Sequence, residues 1–236
     1  MILCGGDEAG RGALIGPLVI SLVSVKKAMV HKLPEIGVRD SKLLSRKRRD
    51  ELYGSILDIA EDVKIDRIAP AEINSAMKAG ISLNELEAIH FAKLFDKFDQ
   101  EVNFLYLDSP DVIAEKFGIR VNMLSNKPTK VYGIRARGIR GVKYTTVVAE
   151  HKADSRYPVV SAASIIAKVE RDRAMDQLSA SLSIALGSGY PSDYHTIDAV
   201  RKNMKDKELS MHIREYWKTL GNIRQTKLFN FGDTSA

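Results

Sequence analysis

Four acidic positions carry the chemistry open to this sequence. Asp7 and Glu8 follow a short apolar run at residues 1–4, with Gly5, Gly6, Gly10 and Gly12 around them. Asp108 closes the run NFLYLDS, and Asp154 lies at the end of YTTVVAEHKAD. Strand ends are where open α/β sheets bind ligands. On a regular strand Asp7 and Glu8 point to opposite faces, whereas at a strand end or bulge both can turn toward one site. Taken singly, the pair is a solvated turn and Asp108, before Ser109-Pro110, is a helix cap. Three such positions spread over the chain point instead to convergence. Gathered carboxylates raise each other's pKa and need a counter-charge. Oxygen ligands, with one cysteine and five histidines in the chain, suit Mg2+ or Mn2+ rather than zinc. Two such ions about 3.5–4 Å apart activate a water and stabilise the leaving oxygen of a phosphodiester.

Composition agrees with that chemistry. Lys and Arg total 36 against 30 Asp and Glu, a formal balance of +6, which favours polyanions. The 236 residues are 44% hydrophobic, enough for a large core. The single cysteine, Cys4, permits no internal disulfide and fits a reducing, cytoplasmic location. The first residues show neither the basic nor the apolar region of a signal peptide. No uncharged run approaches a membrane span.

Elements must position these acids. Residues 1–25 read as two strands joined by a glycine-rich turn, the second being LIGPLVISLVSV. Ser45 is a plausible N-cap for a helix over RKRRDELYGSILDIAEDV. VKIDRIA reads as a strand, Pro70 opens a helix, and residues 83–98 form the clearest amphipathic helix. NFLYLDS is a buried strand, DVIAEKFG a helix, and YTTVVAEHKAD a strand running into a loop that carries Asp154. Residues 158–173 make a small-residue helix, GSGYPSD a turn, and further helices begin at Thr196 and over HIREYWKTL. The expected class is α/β: a mixed sheet flanked by helices, with a helical C-terminal region. The expected division is a core over 1–175, a helical region over 176–222 and a tail over 223–236.

Asp7-Glu8-Ala9-Gly10-Arg11-Gly12 strongly resembles the signature of ribonuclease HII, the type 2 ribonucleases H. The resemblance continues through Gly16-Pro17-Leu18-Val19, Asp40-Ser41-Lys42-Leu43-Leu44-Ser45, Tyr106-Leu107-Asp108 and His151-Lys152-Ala153-Asp154. It extends through residues 157–168 and 187–193, spans about residues 2–220, and looks archaeal. It implies a ribonuclease H-like core and a monomeric divalent-metal endonuclease that cuts the RNA strand of RNA–DNA hybrids. It also implies incision 5′ of single ribonucleotides in duplex DNA, leaving 3′-hydroxyl and 5′-phosphate ends. Asp7, Glu8, Asp108 and Asp154 fall on the four family carboxylates, with Asp111 the nearby alternative to Asp108. Gly10, Arg11 and Gly12 match the segment that reads the ribose and junction phosphate. Their exposed backbone groups suit a 2′-hydroxyl, which both donates and accepts hydrogen bonds. Tyr190 matches the tyrosine that packs on the deoxyribose 3′ of the ribonucleotide, and Lys42 a phosphate-contacting lysine. His151 reads as structural or as a neighbour of the acids, not as the general base. Ser164 and Lys168 read as helix positions near the site.

Two segments remain open. Residues 127–143 hold Lys127, Lys130, Arg135, Arg137, Arg140 and Lys143, and read either as a solvated β-hairpin or as a phosphate-tracking flap. The tail with Gln225, Leu228, Phe229 and Phe231 resembles the peptide by which repair enzymes dock on the sliding clamp. Gly232 stands where that pattern has a second aromatic; either Phe229 compensates or the tail packs on its own domain. Two other classes share parts of the pattern: a resolvase- or integrase-type nuclease, and a non-catalytic nucleic-acid-binding domain.

Overall fold

The computed structural model describes residues 1–134, 141–221 and 223. Its six strands are β1 (Ile2–Ala9), β2 (Leu18–Lys26), β3 (Asp62–Ile68), β4 (Phe104–Asp108), β5 (Thr129–Val131) and β6 (Thr145–Glu150). They form one sheet in the order β3-β2-β1-β4-β6-β5. β1 and β2 are antiparallel, while β1–β4, β4–β6 and β5–β6 are parallel. The sheet is therefore mixed, as the two opening strands joined by a tight turn predict. The helices are α1 (Lys32–Glu35), α2 (Arg46–Ile59), α3 (Pro70–Lys78), α4 (Leu83–Asp96), α5 (Ala114–Leu124), α6 (Ala153–Arg156), α7 (Pro158–Leu182), α8 (Tyr194–Asn203) and α9 (Lys207–Ser210). Among the described residues, no helix is long and apolar enough to cross a membrane.

The chain divides into two compact units. One comprises residues 1–9, 19–67 and 82–170; the other comprises residues 10–18, 68–81 and 171 onward. In the first, Val23 and Val25 of β2 pack with Leu52 and Ile56 of α2 and with Val159, Val160 and Ala163 of α7. α4 and α5 meet through Phe91 and Phe117, edge to face at 5.8 Å. Ser45 caps α2 by accepting from the Arg48 N–H at 3.2 Å, as its place before the helix predicts, and Ser82 caps α4 through Glu85 in the same way. Gly5 faces α7 so closely that a Cβ would overlap the backbone of Val159 and Val160. The absent side chain lets helix and strand meet. Cys4 is fully buried, and burial pushes its thiol far above the ordinary range, so it is inert.

The second unit has its own core of Leu14, Ile15, Met175, Leu186, Val200, Leu209 and Ile213.

Three expectations are corrected. β1 runs through Gly5–Ala9, so Asp7 and Glu8 lie within a strand, and the turn begins at Gly10. The register from Ile2↔Lys26 to Ala9↔Val19 is continuous, leaving no bulge at the acids. Asp154 lies on α6 rather than in a loop, because Lys152 takes a left-handed conformation (φ 56°) and turns the chain into a helix. HIREYWKTL is not one helix: Ile213 forms an antiparallel bridge with Ile15, and helix resumes only at Lys218. Of residues 127–143, Thr129–Val131 form β5, which pairs parallel with β6, and 135–140 lie outside the described residues.

Candidate active site

β1, β4 and β6 are adjacent and parallel, so their C-terminal ends share one edge. The register Gly6↔Leu107 sets Asp7 level with Asp108, and Asp108 pairs with Glu150. Asp7 is 5% exposed and Asp154 is 2% exposed, while Asp108 is half-buried. Burial pushes the Asp7 carboxyl well above the usual range, and the charges of Glu8 and Asp108 push it further. Hydrogen bonds from the Ser164 side chain and the Glu8 N–H, the latter at 2.8 Å, oppose that rise. Asp108 is also raised, first by burial, with the Ala153 N–H (2.8 Å) opposing and Asp154 adding to the rise.

Cations answer these charges. Lys42 Nζ lies 3.4 Å from Asp154 Oδ2. Burial works against the Lys42 ammonium, but Asp154, Asp40 and Asp7 outweigh it and raise its pKa. Asp40 holds the turn that presents Lys42 by accepting from the Lys42 N–H at 3.0 Å. α7 supplies the rest from one face, at helical spacing. Ser161 donates to the Asp154 carbonyl, Ser164 bonds Asp7, and Lys168 bonds Ser41. Ser41 Oγ in turn lies 2.8 Å from Ser164 Oγ. Lys168 is lowered by burial, with Asp7 opposing and Lys42 and Arg49 adding to the fall.

Asp111 is committed elsewhere: Arg120 reaches it at 2.7 Å, and Asn84 donates to its other oxygen. His151 Nε2 lies 2.6 Å from the Asp111 carbonyl. Lys127 donates to the Phe98 carbonyl and sits 5.3 Å from the Phe95 ring, while Lys143 pairs with Glu101 at 3.0 Å. Arg135, Arg137 and Arg140 lie outside the described residues, as do Gln225, Leu228, Phe229 and Phe231.

In the second unit, Gly10, Arg11 and Gly12 form a turn with Gly10 at φ +94°. The neighbouring residues Leu14 and Ile15 donate to the Gly189 carbonyl at 2.7 and 3.1 Å, joining this segment to the turn that carries Tyr190. Two buried arginines missed in the sequence hold it. Arg171 lies 4.4 Å from the Tyr190 ring centroid. Arg214 donates to the Arg11 carbonyl at 3.0 Å and to the Gly16 carbonyl at 3.0 and 3.2 Å. The helix noted at 158–173 was a signal for Arg171, and the Arg in HIREYWKTL for Arg214, but nothing in spacing reveals their distant partners.

Among the described residues, no three His, Cys, Asp or Glu side chains stand close enough to hold a metal ion as placed. The acids are nevertheless linked electrostatically, Asp7 to Glu8 and Asp108, and Asp108 to Asp154. The donor set fits a hard cation. It is all oxygen, and a nearby positive ion relieves the penalty on a buried Asp7 carboxylate.

A mixed sheet of this strand order, with acids at the ends of adjacent parallel strands, belongs to the ribonuclease H-like class of nucleases. A family model described as Ribonuclease HII matches residues 4–220. A ribonuclease HII of Cenarchaeum symbiosum is 38% identical over 219 residues, covering 92% of this chain and 96% of its own. The crystal structure of ribonuclease H2 from Pyrococcus horikoshii OT3 is 34% identical, with a TM-score of 0.80 over 96% of this chain and 98% of its own. The ribonuclease HII solved in complex with PCNA from Archaeoglobus fulgidus is 32% identical, with a TM-score of 0.75 over 92% and 95%. The chain belongs to the ribonuclease HII family. It is thus a ribonuclease H, a hydrolase acting as an endonuclease on RNA–DNA hybrids.

Proposed function

We propose that this ribonuclease H also incises duplex DNA 5′ of single embedded ribonucleotides, leaving 3′-hydroxyl and 5′-phosphate ends, with two divalent cations at its acids. The observation that carries the metal assignment is the grouping of Asp7 near the C-terminal end of β1, Asp108 at the end of β4 and Asp154 on the helix after β6, with electrostatic links between them. Ribonucleases H depend on divalent metal. Asp7, Glu8, Asp108 and Asp154 would hold Mg2+ or Mn2+, which when bound supplies an activated water and charge neutralisation at the phosphodiester.

The chain's own groups do the rest. Lys42 offers an exposed ammonium to the substrate phosphate while its Asp154 contact keeps it charged. Gly10, Arg11 and Gly12 present backbone groups to the ribose 2′-hydroxyl. Tyr190 packs on the next sugar, where a second 2′-hydroxyl would crowd its ring. That contact gives a preference for an RNA-to-DNA step. A labelled DNA duplex with one ribonucleotide, incubated with Mg2+ and then with chelator, tests this. Metal-dependent cleavage 5′ of the ribonucleotide is expected; a cut in an all-DNA duplex, or none at the ribonucleotide, overturns it.

The C-terminal tail is a second contact, with the sliding clamp. Its support is the tail pattern from Gln225 to Phe231 and the PCNA complex of the Archaeoglobus fulgidus relative. Full-length chain and a truncation after Arg224 should differ in clamp pull-down; equal capture removes the idea.

A further inference from the structure

Arg171 is an unusual occupant for its place. It is 2% exposed. Burying a guanidinium is costly unless its donors are satisfied. Its Nη2 donates to the Ser188 carbonyl at 2.7 Å, and its Cζ lies over the Tyr190 ring, 4.4 Å from the centroid. A Cβ at Gly10 would overlap Arg171 Nε and Cδ, and one at Gly189 would fall 2.9 Å from its Nη2. One side chain thus touches the glycine turn, the 188–189 backbone and the tyrosine ring. An aliphatic residue could fill the volume. A flat guanidinium can stack on a ring and hold a carbonyl at once.

We propose that Arg171 is a positioning residue for ribose discrimination: it fixes the Tyr190 ring against the Gly10 turn and so sets the preference for a ribonucleotide followed by DNA. This rests on the reading of Tyr190 as the residue that packs on the sugar. Arg171 touches no substrate in this account and acts through the ring. Gly10 and Gly189 follow from it, since a side chain at either would displace the guanidinium. Arg214 differs: it holds the Arg11 and Gly16 carbonyls and faces Trp217 at 5.1 Å.

The test is single-turnover cleavage, in Mg2+, of two substrates: a DNA duplex with one ribonucleotide and a uniform RNA–DNA hybrid. The quantity read is the ratio of the two rates, which general loss of fold or metal does not move selectively. Arg171→Gln and Arg171→Lys should each lower the ratio by roughly 3- to 10-fold, the scale of a lost cation–π contact. Tyr190→Ala should lower it at least as far. The Arg171→Gln/Tyr190→Ala double variant should match Tyr190→Ala alone, because the arginine acts through that ring. If Tyr190→Ala collapses the ratio while the arginine variants keep it, the role of Arg171 is overturned and the reading of Tyr190 stands. If Tyr190→Ala keeps the wild-type ratio, the Tyr190 reading fails and takes this inference with it. A further fall in the double variant also overturns it. Should Arg171→Gln fail to fold by thermal melting, Arg171→Lys decides: a normal melt with an unchanged ratio overturns the proposal.

Discussion

The Ala153 N–H donates to Asp108 Oδ1 at 2.8 Å, so the last residue of β4 is tied to the first residue of the helix that carries Asp154. Two acids 46 positions apart in the chain thereby share one backbone link. The link opposes, but does not cancel, the rise that burial imposes on Asp108.

Asp7→Asn should reduce cleavage by roughly a thousandfold, equivalent to several kcal/mol of transition-state stabilisation, while hybrid binding persists. Its stability should move the other way. An acid raised in the folded state disfavours folding once pH exceeds its unfolded value, because it must ionise while buried. Metal-free Asp7→Asn should therefore melt above the wild type at pH 7, the gap growing with pH and shrinking as Mg2+ is added. A variant that melts lower at every Mg2+ concentration contradicts the assignment.

Lys42→Met should weaken substrate capture, lowering kcat/KM by about 5- to 20-fold through a lost charge-assisted contact. Binding assays over a salt series provide the check. The slope of log affinity against log salt should shrink by about 0.9 for one phosphate contact. An unchanged slope removes Lys42 from the phosphate.

Gly5→Ala should destabilise the fold by about 1–3 kcal/mol, since the new methyl meets α7 backbone that cannot step aside. Thermal melting should show a fall of about 2–10 °C. A wild-type melting temperature would mean that helix and strand are not in this close contact.

His90 Nδ1 lies 2.7 Å from Asp66 Oδ2, and that hydrogen bond holds the Asp66 carboxyl below its usual value of 3.8. An acid lowered by folding contributes stability above its unfolded pKa and loses it as pH falls through the folded one. Melting of Asp66→Asn against wild type should show a gap at pH 6 that narrows as pH falls below 3.8. A gap independent of pH would assign the effect to packing alone.

Asp108 was legible because it closes an apolar strand, and that relation survives in three dimensions; Asp7 and Glu8 instead lie inside theirs. Ser45 was legible as a cap because capping is local. Asp154 was placed one element off because its helix starts from a left-handed Lys152, which no side-chain periodicity announces. HIREYWKTL misled for a related reason. Its apolar spacing suits a helix, but Ile213 pairs with Ile15 and Arg214 spends its donors on carbonyls near residue 11. Arg171 was hidden likewise, because its ring and carbonyl partners lie 17 and more residues onward. Nor could spacing show that residues 10–18 and 68–81 group with those from 171 onward.

Arg214 reaches the Arg11 carbonyl across 203 positions of chain. During synthesis the glycine turn is made 203 positions before the side chain that secures it. Throughout that interval the turn lacks this anchor, so the nascent chain closes the link only once residue 214 has been made, well after the strand bearing Asp7.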